Sequence, residues 1–101
     1  MAKKENKSIV IFGSQSVRRD WDDKKEEWYF SVIDVIRILT GNERPRKYWN
    51  DLKTKLKQEG SEVSEKIGQL KMIAPDGKMR LTDVADTETA LRLINPISSL
   101  V

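Results

Sequence analysis

Apolar positions along this chain change period several times, and each change marks an element. Ser8–Gly13 (SIVIFG) is a short β-branched run that predicts a strand sitting inside a sheet. Val17, Arg19 and Trp21 then alternate with Arg18 and Asp20, the pattern of a half-buried strand. Asp22–Glu27 (DDKKEE) is a charged turn, and Trp28–Tyr29–Phe30 supplies the returning strand. Trp28 and Phe30 are expected on one face and Tyr29 on the other, because side chains alternate along a strand. These runs predict a three-stranded N-terminal sheet.

At Ser31 the period lengthens from that of a strand to that of a helix. Val32, Val35, Ile36 and Leu39 recur at helical spacing, with Ile33 widening the stripe. Ser31 is a natural N-cap with Asp34 three residues on, and Gly41 is placed to end the helix in the left-handed conformation. A second helix follows over 44–57, with Pro45 in its first turn and Tyr48, Trp49, Leu52 and Leu56 as its apolar stripe. The tight connection suggests a helix-turn-helix-like pair.

Glu59–Gly68 is polar and reads as a loop. Gln69–Ala74 and Lys78–Leu81 flank Pro75–Asp76–Gly77, a strong hairpin signal. Leu70, Met72 and Ala74 should face one side, Lys71 and Ile73 the other. Thr82–Ile94 reads as a final helix, capped by Thr82 or Asp86, with Val84, Leu91 and Ile94 as a seam for the core or a dimer contact. The expected fold class is therefore α+β. It is a small single domain with a three-stranded N-terminal β-sheet, a helix-turn-helix-like helix pair, a β-hairpin and a C-terminal helix. Residues 1–7 are read as a tail, 8–95 as the domain and 96–101 as a short C-terminal tail.

Charge adds a direction to this outline. Of 101 residues, 19 are Lys or Arg and 16 Asp or Glu, so the net excess is small and its placement matters more. Residues 42–58 carry +4 and 67–81 carry +2, whereas 59–66 and 82–101 are each −2. Positive charge thus collects on the second helix and the hairpin, as expected of a nucleic-acid binder. The same runs are equally readable as solvated faces.

On a helical projection Arg46, Asn50, Lys53 and Lys57 share one narrow face. Arg pairs with guanine and Asn with adenine through two hydrogen bonds each, while Lys suits phosphates. The candidate nucleic-acid contacts are Arg44, Arg46, Lys47, Asn50, Lys53 and Lys57 on the helix. Lys71, Lys78 and Arg80 join them from the hairpin, which can act as a wing along DNA or simply close the core.

The chain has neither Cys nor His. That removes a thiolate nucleophile, an imidazole base and nitrogen or sulfur zinc ligands, and it counts against an enzyme. The acids around 20–27 lack the spacing of a calcium loop and are interrupted by Lys24 and Lys25, so a solvated turn is the expected role. No apolar run has the length of a membrane span and MAKKENK lacks a signal-peptide core, so a cytoplasmic protein is expected.

Three segments, EWYFSVIDVIRILT, RKYWNDLKTKL and LKMIAPDGKMRLTDVADTE, together resemble the BRO-family N-terminal domain (Bro-N). The closer similarity is to the branch with DNA-damage-inducible protein D and phage antirepressor-like proteins, and it covers Ile9 to Ile94. The resemblance implies an α+β, cytoplasmic, DNA-associated domain with a phage or stress-response regulatory role. It implies no cofactor and no catalytic residue. Duplex DNA is the implied partner, with a second copy of the chain, or a captured repressor or DNA-repair protein, as alternatives. Similar proteins usually continue into a further helix and a longer C-terminal region, whereas this sequence stops after NPISSLV.

Overall fold

The computed structural model describes residues 9–12, 15–41 and 43–99. The described chain is α+β, in the order β1 (Ile9–Phe12), β2 (Gln15–Asp22), β3 (Glu27–Ser31), α1 (Val32–Thr40), α2 (Pro45–Gln58), α3 (Glu62–Glu65), β4 (Gly68–Ile73), β5 (Met79–Asp86) and α4 (Thr87–Ser99). Strands β2-β3-β5-β4 form the central antiparallel sheet, and β1 extends it beyond β2. No helix among the described residues is long and apolar enough to cross a membrane.

Two expectations about the sheet change. The hairpin is not separate from the N-terminal strands: β3 pairs with β5 through Tyr29–Asp86, Phe30–Ala85 and Ser31–Val84, so one sheet runs through the domain. The first strand lies at its edge, paired only with the start of β2, rather than inside it. Single-strand patterning specifies which residues alternate, but the partner across the ladder is a long-range choice.

The helices follow their local signals closely. Ser31 caps α1, its Oγ accepting from the Asp34 N–H at 3.3 Å, and Gly41 ends the helix at φ 64°. Pro45 opens α2 as expected. Val32, Ile36, Trp49, Leu52, Leu56, Ala85 and Leu93 form the central cluster, with Tyr48 and Ile33 packed at its margin. The Tyr48–Trp49–Leu52–Leu56 stripe is core.

The segment 59–68 is not wholly loop. Ser61 caps the single-turn helix α3 by accepting from the Val63 N–H at 3.2 Å, and Val63 and Ile67 pack against the core. The final helix starts at Thr87, not Thr82, because 82–86 is consumed by pairing with both β3 and β4. Asp86 provides the cap, its Oδ1 accepting from the Thr89 N–H at 2.8 Å. Val84 is consequently a buried strand residue and not part of a helical seam, while Leu91 is exposed. The side chain of Ile94 lies outside what the structure describes, as do residues 1–7. Backbone of α4 continues to Ser99, through the segment expected to be a tail.

Candidate nucleic-acid interface

The hairpin forms around a turn in which the Gly77 N–H donates to the Ala74 carbonyl at 2.8 Å. Gly77 stands at φ 84°, a conformation that a side chain would strain. The Ala74 N–H donates back to the Lys78 carbonyl at 2.8 Å, closing the ladder. Leu70 and Met72 turn inward and Lys71 and Ile73 outward, as the alternation predicts.

Helix α2 is tied to the base of this hairpin by one carboxylate. Asp83 Oδ2 accepts from Trp49 Nε1 at 2.7 Å and from Lys53 Nζ at 2.9 Å, while its Oδ1 accepts from Gln69 Nε2 at 3.1 Å. Burial pushes this carboxyl up, but those three donors and the Lys53 charge outweigh it and hold it below the ordinary Asp range. The Lys53 ammonium also stands 5.8 Å from the Trp49 ring centroid.

A second carboxylate, Asp34, holds Arg18 in place. Asp34 is nearly inaccessible and receives Arg18 as a fork, Nε to Oδ2 at 2.8 Å and Nη2 to Oδ1 at 3.0 Å. The same guanidinium donates through Nη1 to the Ile73 carbonyl at 2.8 Å and through Nη2 to Ser31 Oγ at 3.2 Å. Arg18 thus links β2, the start of α1 and the end of β4.

Between these two ties lies a groove of about 240 Å³, bordered by Arg46, Asn50 and Lys53 from α2 and by Gln69, Arg80 and Leu81 from the hairpin, with Arg18 and Asp83 also lining it. Four of the nine expected contacts, Arg46, Asn50, Lys53 and Arg80, are therefore brought together. Arg80 lies twenty-seven positions beyond Lys53, the nearest of the three on α2. Arg46 and Asn50 are exposed and offer the donors and the amide pair that base edges or phosphates require.

The expected cationic contacts divide by whether another group already holds them. Arg46, Lys57, Lys71 and Lys78 are exposed and have no ion pair among the described residues. Lys47 pairs with Asp51 at 3.2 Å on the open surface, a contact worth about 0.3–0.5 kcal/mol and readily exchanged for a phosphate. Arg80 pairs with Asp76, whose carboxyl that hydrogen bond and the Lys78 N–H hold below the usual range. Arg44 is exposed just before α2, its carbonyl accepting from the Tyr48 N–H. Lys53 requires a correction: it is half-buried and neutralised by Asp83, so it braces the groove rather than standing free for a phosphate. Lys71 and Lys78 lie outside the groove, on the hairpin.

Arg18, Gln69 and Asp83 were not among the expected site residues. Arg18 and Asp34 are sixteen positions apart, and Asp83 and Lys53 thirty, so no local spacing announces either pair. In the charged turn, the Asp22 Oδ1 accepts from the Lys24 and Lys25 N–H groups, so that carboxylate shapes the turn.

No family model, curated protein or solved structure matches this chain.

Proposed function

We propose that this protein is a DNA-binding module of the phage antirepressor-like or DNA-damage-inducible regulatory type. It contacts duplex DNA through helix 44–57, with hairpin 69–81 in support. The observation that carries this reading is the groove in which Arg46 and Asn50 of α2 meet Arg80 of the hairpin. Its one acid, Asp83, is already engaged by three donors, which limits its repulsion of a polyanion. The α1–α2 pair serves as a helix-turn-helix-like unit, with α2 presenting its exposed edge, and the Bro-N resemblance supports the same class.

Arg46, Lys47, Lys57, Lys71 and Lys78 are the cations assigned to phosphates. With about five such contacts, log affinity falls against log salt with a slope of about −4 to −5. Fluorescence anisotropy on random-sequence duplex across about 50–200 mM salt measures it. Arg46→Ala with Lys57→Ala should make the slope shallower by about 2. Lys53→Ala should leave it unchanged. Salt-independent binding, or no binding, defeats the reading. Replacing Asn50 should alter sequence preference; a uniform loss over all sequences assigns it to the backbone.

One observation favours a second reading, a protein-interaction module that captures a repressor or repair protein. A groove of about 320 Å³ between α1 and α4 is lined almost wholly by apolar side chains, including Phe30, Val35, Ile38 and the exposed Leu91. Pull-down and size-exclusion chromatography after nuclease digestion, with Leu91→Asp as control, separate the two.

A further inference from the structure

The β4–β5 hairpin carries an uncovered apolar surface that the core does not explain. Ile73, Met79 and Leu81 are 52%, 59% and 63% exposed. Ile73 is paired directly with Met79, and Leu81 lies two residues further along the same strand, so all three share one face. Lys71, the cross-strand partner of Leu81, lies on that face too, and Lys78 adjoins it. Of the acids beside the patch, Asp76 is held by Arg80 and the Lys78 N–H, and Asp20 borders Ile73 and Met79 together with the cations Arg18 and Arg19.

Three exposed apolar side chains amount to roughly 300 Å² on one copy, short of the about 500 Å² per side that a specific protein–protein contact needs. A second copy of the chain is thus a poor occupant. The cationic surround favours a polyanion, and Leu81 also lines the groove between α2 and the hairpin, so the patch continues the candidate interface. Apolar side chains gain nothing from phosphates. What they match on DNA is the stacked face of a base step opened from the minor groove.

We infer that the hairpin is an apolar wedge that enters the minor groove beside the α2 contact, unstacks one base step and bends the duplex. This inference rests on the DNA-binding reading above. Ile73, Met79 and Leu81 supply the wedge, and Lys71 and Lys78 hold the flanking phosphates. Pyrimidine–purine steps, which kink readily, are the preferred sites of entry.

The test uses the full chain and a duplex with 2-aminopurine beside a central TA step and a dye pair at its ends. Binding should raise the 2-aminopurine fluorescence and shorten the end-to-end distance. Ile73→Ser, Met79→Ser and Leu81→Ser together should abolish both signals and weaken binding on the order of ten-fold, with the salt slope unchanged. Circular dichroism checks the fold of that variant, and Leu81→Ser alone should give an intermediate signal. Salt-dependent binding without unstacking or bending overturns the wedge and leaves the DNA reading standing. So does a triple variant that behaves as the parent, or a patch-dependent association with phosphatidylserine vesicles or with a second copy in its place. Absence of any duplex binding overturns both.

Discussion

The two ends of the β4–β5 hairpin are built from opposite materials. At its base, Gln69 and Asp83 face α2 and take part in a hydrogen-bonded hub with Trp49 and Lys53. At its far end, the outward face carries Ile73, Met79 and Leu81, largely exposed. The base joins the hairpin to the helices; the tip is left with apolar surface and cations. The ribbon is held at its base through side chains and at its far end through the Ile73 carbonyl, which leaves the outward side chains of that end exposed. Arg18 marks the boundary, since it reaches the Ile73 carbonyl where β4 runs into the turn.

The largest disruption of this contrast should come from Arg18. Arg18→Ala leaves Asp34 buried without its fork and removes the tie to Ile73, which should cost about 3–5 kcal/mol in a urea titration. A loss comparable to an ordinary surface substitution would show that the boundary is not structural. Asp83→Asn comes next, at about 1–3 kcal/mol, because Trp49, Lys53 and Gln69 lose a charged acceptor.

Acid sharpens the same point. Since the folded protein holds the Asp83 carboxyl below its ordinary value of 3.8, this group contributes stability that is present above that value. The contribution is lost as pH falls further, through the depressed folded value. Urea midpoints followed downward from neutral pH should therefore fall less steeply for Asp83→Asn below about pH 4. The smallest effect belongs to the tip. Ile73→Ser, Met79→Ser and Leu81→Ser should each change stability by no more than about 0.5 kcal/mol, although together they remove the proposed wedge. A large loss of stability at any of them would mean that the tip, too, is structural.

Legibility in the sequence followed the range of the interaction. Ser31, Gly41, Pro45 and Gly77 act on their own neighbours, and the two longer turns and helices they define were readable from spacing alone. The Thr82–Asp86 segment was not. Its residues suit a helix start, yet Thr82–Val84 pair with β4 and Val84–Asp86 with β3, which engages the segment as strand. Residues 59–68 hid a one-turn helix because a single turn offers too few positions for a period to appear.

The candidate site divides in the same way. The chain alone determined that α2 and the hairpin are basic, that Trp49 and its stripe turn inward, and that Arg46 and Asn50 share an outer edge. Tertiary structure decided that these edges meet in one groove, and which cations remain available there. Lys53 looks identical to Lys57 in a helical projection; only the arrival of Asp83 from a distant strand makes one a brace and leaves the other exposed. Charge and periodicity are properties of neighbouring residues, whereas the neutralisation of a charge depends on which remote carboxylate the fold carries to it.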